Sequence, residues 1–490
     1  MRDLTCRYIL RGWVKLIAVA AVLLTPSASI AQIDAPTHKL ALDIFKQLIE
    51  INTTESSGSV TAAAVAMRQR FLTGGFAPQD VYLGGPNERK KNLVVRLHGD
   101  GSGKRPILLI CHLDVVEARR EDWSVDPFQF IENDGYYYGR GTQDIKDGDA
   151  ILVAIFLRLK QENYHPDRDL ILALTADEEA GGTANGVDWL LRNQRQLIDA
   201  GYVINLDQGG VDLEHGKPLS VNIAATEKLY GDYLMSVTNR GGHSSIPRPD
   251  NAIYQLAGAL TRLEHHEFAF ELNPVTRAYF ETISETESGQ KAADLKAMLN
   301  TPPDPKAIER LSASSPSWHS MMHTTCVATR LSGGHANNAL PQKAEATVNC
   351  RILPGHTLEE VRQEIIATVG DSAVTVRYSD YVGSVTDTAP ARMQLTPVEP
   401  NPVLMNAVRK LSADFWPGAP VIPMMETGAS DGVYTLAAGM PTYGVNGVAL
   451  EVSDFRAHGR DERVPVASFD RGLEFNYQLL KMLTTPSAGH

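Results

Sequence analysis

Acidic and histidine residues recur where short apolar runs end. His112 and Asp114 close the run 106–111 (PILLIC), as His112-Leu113-Asp114. Asp144 sits in a glycine-rich turn, Gly139-Arg140-Gly141-Thr142-Gln143-Asp144, ahead of a helical pattern. Glu178 and Glu179 follow the run 169–174 (DLILAL), and Asp207 follows 202–206 (YVINL). Carboxylates that converge without compensation repel one another and are costly to bury. Divalent cations are the usual remedy, and imidazole with carboxylate is zinc-like ligation that also suits manganese and cobalt. Adjacent Glu178-Glu179 offers one side chain to a metal and one to water, whose proton a carboxylate takes once a cation has acidified it. Asp114, two residues past His112, is placed to hold the other imidazole nitrogen and set its tautomer. A lone His-x-Asp or Glu-Glu is weak; four such features at successive strand ends are not.

The elements that must position them follow from periodicity. The runs 92–97 (NLVVRL), 106–111, 169–174 and 202–206 are short, apolar and bounded by turn residues, so they read as buried strands. Residues 149–161 and 187–198 read as helices, and 37–74 as helical with a break near Ser56-Ser57-Gly58. Strands alternating with helices imply an α/β fold, a mostly parallel sheet sandwiched by helices. Ligand sites in open α/β sheets lie at the carboxyl ends of the strands, where these acids stand. After Gly210 the pattern changes. Residues 229–238 alternate, 251–263 are helical, and 273–317 are polar with Pro302, Pro303 and Pro305, suggesting surface helices and loops. Two more alternating strands, a helix (357–369) and a strand (373–378) complete an α+β module at 219–390, and helical 402–415 and 466–483 return to the first domain. The expected organisation is 1–31, 32–218, 219–390 and 391–490: an export signal, then a catalytic α/β domain split by an inserted α+β lid or dimerisation domain.

Composition narrows the function. The 490 residues carry 46 Lys+Arg against 58 Asp+Glu, a net of −12, with 43% hydrophobic and 21% charged residues. That mixture is globular, and disorder or collagen do not fit it. The acidic balance argues against nucleic acid as partner. Arg2, Arg7, Arg11 and Lys15 precede the apolar run 16–24 (LIAVAAVLL), and small residues at 27–31 offer a cleavage site after Ala31. This reads as a signal peptide, too short and too interrupted by Pro26 for a membrane span, and it predicts a periplasmic or extracellular protein not bound to membrane. Removing 1–31 takes away four basic residues and Asp3, leaving 42 against 57, a net of −15. Cys111 lies in an apolar run and reads as a buried thiol. Cys326 and Cys350 lie in two β-like runs, and a disulfide between them suits an oxidising compartment, although its geometry does not follow from sequence.

The segments CHLDVV, GRGTQDIKDG, TADEEAGG, NLDQGG, GGHSSIPRPDNAI, NNALPQKAEATVNCRILPG, TGASDG and RAHGRDERV, between residues 111 and 464, resemble the dinuclear-zinc metallopeptidase family of aminoacylase-1, acetylornithine deacetylase, succinyl-diaminopimelate desuccinylase, carnosinase and glutamate carboxypeptidase. The resemblance implies two Zn2+, with His112 and Asp207 on one, Glu179 and His458 on the other, and Asp144 bridging. It implies Glu178 as general base and Asp114 as the orienter of His112. His243 would hydrogen-bond the oxyanion, often from the second subunit of a homodimer built through the inserted domain. Asn338 and Arg351 match positions that hold a substrate carboxylate, for which a planar guanidinium is suited. Ser430 and Asp431 match a substrate-side loop. In relatives the peptide after the bridging acid is cis; here Ile145 follows Asp144, and Asp147 is an extra acid before Gly148. The implied activity is hydrolysis of an amide bond in a small peptide, as a carboxypeptidase or dipeptidase. The alternative is an N-acyl-amino-acid hydrolase, and the remote one a non-catalytic binding protein on the same scaffold.

Overall fold

The computed structural model describes residues 33–180, 184–380, 383–390, 395 and 398–485. The expected signal peptide at 1–31 lies outside them. The runs expected as strands are strands: Lys90–Leu97, Ile107–His112, Leu170–Thr175 and Tyr202–Asn205. Every residue of Ile107–His112 and of Leu170–Thr175 is buried. Both strands are covered on both faces, which is why their sequences run apolar without alternating.

These strands belong to a ten-stranded sheet. Its order is Val81–Asn87, Lys90–Leu97, Leu170–Thr175, Ile107–His112, Tyr202–Asn205, Thr442–Gly444, Lys217–Glu227, Gly210–Glu214, Ala449–Glu451, with Val421–Glu426 also pairing Lys217–Glu227. The middle, from Leu170–Thr175 to Thr442–Gly444, is parallel throughout, so the carboxyl ends that carry His112 and Asp207 point the same way. The first strand, Val81–Asn87, escaped sequence reading because Gly84-Gly85-Pro86 break its pattern. Helix Lys146–Gln161 buries almost every residue. Helix Ala35–Ile49 shows the ordinary stripe of Ala41, Ile44, Phe45 and Leu48, capped by Asp34 accepting from Thr37 N–H. The helix expected over 187–198 is two, Gly186–Asn193 and Arg195–Ile198, interrupted at Gln194.

A second, five-stranded antiparallel sheet has the order Thr325–Gly333, Lys343–Ile352, Leu229–Thr238, Val374–Ser379, Val385–Thr386. Helices Ala252–Glu264 and Leu358–Val369 cover it and form a separate core around Tyr233, Leu256, Val348 and Ile365. Asn251 caps the first helix, and a Thr357/Glu360 capping box starts the second. Lys217–Glu227 stays in the large sheet, so the change of sheet falls at Lys228 rather than at residue 219. The stretch 273–317 is largely exposed, as expected, and most of it is helical. Helices Pro274–Thr286, Gly289–Met298, Pro305–Ser314 and Pro316–Met322 bury Val275, Phe280, Leu295, Met298, Leu311 and Met322 in the large core. Their polar, proline-rich sequence hid that face, where each fully buried large side chain contributes about 1.5–3 kcal/mol.

Cys326 and Cys350 face each other across Thr325–Gly333 and Lys343–Ile352, and they form a disulfide with Cα atoms 4.1 Å apart. Cys111 is a buried free thiol. Among the described residues no helix is long and apolar enough to cross a membrane.

Candidate metal centre

Seven of the expected residues meet at the carboxyl end of the parallel strands. His112 Nε2 lies 3.0 Å from Asp144 Oδ1 and 3.6 Å from Asp207 Oδ1. His458 Nε2 lies 3.0 Å from Asp144 Oδ2 and 3.0 Å from Glu179 Oε1. Asp144 therefore presents one oxygen to each histidine, the arrangement a bridging carboxylate needs. The ligand atoms of His112/Asp144/Asp207, of Asp144/Glu179/His458 and of His112/Glu178/Glu179 each fall within 4.8 Å of one another. These are imidazole and carboxylate donors in the numbers a pair of divalent cations takes, so the residues fit such ions.

The electrostatics agree. Burial works against charging His112, but hydrogen bonds it donates to Asp144 and Asp207 outweigh that and raise its pKa well above the ordinary value. Asp144 and Glu179 likewise raise His458 to about 10. Burial raises Glu178 well above the carboxylate range and Glu179 to about 7. Metal ligation favours the unprotonated forms of these imidazoles and carboxylates.

Backbone geometry sets each ligand. The turn before Asp144 wraps the buried carboxylate of Glu462, which accepts from Gly141, Gln143 and Asp144 N–H at 3.1, 2.7 and 3.1 Å and from Arg140 Nη1 at 2.7 Å. Gly141 has φ 94°, a conformation closed to most side chains. The Asp144–Ile145 peptide is cis. His458 holds φ 62°, an uncommon left-handed state of a kind that clusters at functional sites. Asp114 meets His112 through its backbone carbonyl, and its side chain has a second task. Its carboxylate accepts from Glu178 N–H at 3.2 Å and Glu179 N–H at 2.9 Å, so it positions the Glu-Glu turn. His112 Nδ1 donates to the Asp114 backbone carbonyl at 3.0 Å, with the carboxylate 3.9 Å away. The tautomer is still set, leaving Nε2 to ligate.

A cavity of about 330 Å³ opens beside the cluster, lined by Glu178, Glu179, Tyr230, Arg351, Ser430 and Tyr434 among others. The Arg351 guanidinium lies over the Tyr230 ring, 4.7 Å from its centroid. Ser430 and Asp431 are buried beneath this space. Ser430 N–H donates to Glu227 Oε2 at 2.7 Å, and its Oγ accepts from Asn205 Nδ2 at 3.0 Å. Asp431 is bonded to Thr175 Oγ1 and Asn185 Nδ2, each at 2.6 Å, and burial raises its pKa to about 6. It faces the interior rather than a substrate-side loop. His243 and Asn338 stand elsewhere. Gly242–His243 pairs with Ala339–Leu340 in a two-stranded ribbon, and the Asn338 carbonyl accepts from Ser244 N–H at 3.1 Å. Both residues are exposed, and neither is among those that line the cavity.

Glu462, Glu227 and the backbone-directed role of Asp114 escaped sequence reasoning. Only Glu462 left a trace, as part of the RAHGRDERV segment; a buried acid bonded to backbone N–H groups has no local signature.

An open α/β sheet with imidazole and carboxylate donors converging at its strand ends defines a metal-dependent hydrolase scaffold. Residues 108–482 match the model of peptidase family M20/M25/M40, and the chain belongs to that family. It is 28% identical over 399 residues to N-fatty-acyl-amino acid synthase/hydrolase PM20D1 of Homo sapiens, covering 79% of this chain and 76% of that protein. It is 29% identical over 287 residues to carboxypeptidase S of Saccharomyces cerevisiae, covering 55% and 49%. An M20 family metallo-carboxypeptidase from Sulfolobus solfataricus superposes with TM-score 0.66 at 17% identity, covering 92% of this chain and 99% of that one. Family membership makes the chain a metallopeptidase or amidohydrolase, with a fold shared by the solved carboxypeptidase.

Proposed function

We propose that this protein is an exported hydrolase that cleaves the amide bond of a small substrate bearing a free carboxylate. First choice is a carboxypeptidase or dipeptidase. The observation that carries the reading is that Glu178, Glu179 and Arg351 line one cavity, beside the imidazole and carboxylate donors grouped around His112, Asp144 and His458. His112 and Asp207 would hold one cation, Glu179 and His458 the other, and Asp144 both; zinc is the first choice, with cobalt or manganese also suited. When bound, the cations polarise the scissile carbonyl and acidify water. Glu178 takes the proton of the attacking water and delivers it to the leaving amine. Asp114 holds Glu178 and Glu179 in register through their N–H groups. Arg351, steadied on Tyr230, receives the substrate carboxylate, with Asn338 as a second contact and Ser430 and Asp431 as the buried floor. His243 donates to the oxyanion once its ribbon is brought over the cavity.

A second reading, an N-acyl-amino-acid hydrolase, is favoured by the cavity wall of Tyr230, Val433 and Tyr434, which suits an acyl chain, and by the activity named for the Homo sapiens relative. Both substrates end in the same carboxylate. Metal-stripped protein assayed with zinc, cobalt or manganese against dipeptides, longer peptides and N-acyl amino acids separates them. Amidating the carboxylate is expected to raise KM sharply; an unchanged KM removes Arg351 as its anchor.

The five-stranded sheet with its two helices is read as a lid inserted into the catalytic domain and as a dimerisation module. Supporting this, its edge strand Thr325–Gly333 exposes Val327 and Leu331, and the adjoining helix exposes Ile253 and Tyr254. Light scattering tests it, a fully active monomer being the contrary result. Export after cleavage at Ala31 is supported by the Cys326–Cys350 disulfide, and the mass of the mature protein checks it.

A further inference from the structure

A second histidine cluster lies outside the metal centre. Helix Pro316–Met322 ends at His323, and the His323 N–H bonds the His319 carbonyl at 3.0 Å, so the two histidines stand one helical turn apart. Their rings stack with centroids 4.7 Å apart. Glu267 reaches in from the segment after helix Ala252–Glu264, its Oε1 3.9 Å from His323 Nε2. One ligand atom of each of the three falls within 4.8 Å of the others.

His323 is the independent observation. It is 2% exposed, and its Nδ1 is 2.7 Å from the Phe268 carbonyl. Only a protonated Nδ1 can make that bond, so in the neutral ring Nε2 carries the lone pair. That Nε2 is fully buried and has no hydrogen-bond partner. A buried acceptor left unpaired is destabilising, so it calls for an occupant. An imidazole tied through one nitrogen to a backbone carbonyl, with the other free, is the usual state of a metal-ligating histidine. The Lys228 ammonium nearby is turned onto the Ser320 and His323 carbonyls, both at 2.8 Å.

We propose that Glu267, His319 and His323 form a third metal site, for a zinc-class divalent ion, separate from the dinuclear centre. Two neutral imidazoles and one carboxylate leave one tetrahedral position for water. The site joins two bodies of packing. Phe268 belongs to the core of the five-stranded sheet, whereas Trp318, Met321 and Met322 belong to the core of the large sheet. The ion would therefore tie them together beside Lys228, where the chain passes from one sheet to the other.

The test compares zinc-equilibrated wild type with His319→Ala and Glu267→Ala, variants of residues that are not fully buried, so loss of fold is not the expected consequence. Circular dichroism without zinc checks that the variants fold alike. Metal analysis is expected to find about one zinc per chain fewer in His319→Ala, and zinc binding at this site weakened at least tenfold in Glu267→Ala. Zinc is also expected to raise the melting temperature of wild type more than that of His319→Ala. Equal zinc content and equal melting shifts in all three proteins overturn the proposal. Failure of the dinuclear reading would lower the count equally in wild type and variants, so the difference between them reports on this site alone.

Discussion

The metal centre and the His243 ribbon are built in opposite ways. In the centre, buried carboxylates are locked by backbone donors: Glu462 by three N–H groups of the turn before Asp144, and Asp114 by Glu178 and Glu179. The ribbon is two residues on each strand, and His243 is exposed with Ser245 as its partner. Grouping like charges needs rigid positions, because their repulsion must be met by cations at fixed points. An oxyanion donor needs only to arrive when charge develops. The proposed mechanism thus has one half finished within the chain and one half delivered to it, by motion of the smaller sheet or by a second copy.

That contrast can be broken from either side. Glu178→Gln is expected to have the largest effect, lowering kcat about 10²–10⁴-fold with metal content intact; unchanged turnover would remove Glu178 as base. His243→Ala should lower kcat about 10²–10³-fold, also without metal loss. If its turnover matches wild type, the ribbon plays no part in the chemistry and the contrast collapses. Arg351→Met should act mainly on KM, by about 10-fold or more, the size of a lost charge-assisted hydrogen bond. Asp114→Asn sharpens the rigid side: metal affinity is expected to fall about 10–100-fold, read by competition with a chelator. Smallest on activity is Cys326→Ser. It should leave turnover near wild type and lower stability by about 3 kcal/mol, measured by denaturant unfolding.

Much of this was legible from residues. The buried strands 92–97, 106–111, 169–174 and 202–206 stood out because burial on both faces leaves no polar alternation, and the acids just after them named the site. His458 was not visible that way: it comes about 250 residues after Asp207, and no spacing joins them. The helices between 274 and 322 lie at the surface, as their polar, proline-rich sequence suggests, but the narrow stripe they bury does not show in it. Asp431 looked like a substrate contact, yet it is bonded to Thr175 and Asn185 inside the molecule.

By itself, then, the sequence determined the buried parallel strands and the acids and histidine that follow them. Those depend on residue type and short-range period, which are local properties. Only the tertiary structure decided which oxygen of Asp144 meets which histidine, that Asp114 grips backbone rather than imidazole, and that Glu462 shapes the turn. It also brought Glu267 to His319 and His323. Each of these rests on directions of side chains from elements far apart in the chain, and packing alone sets such directions.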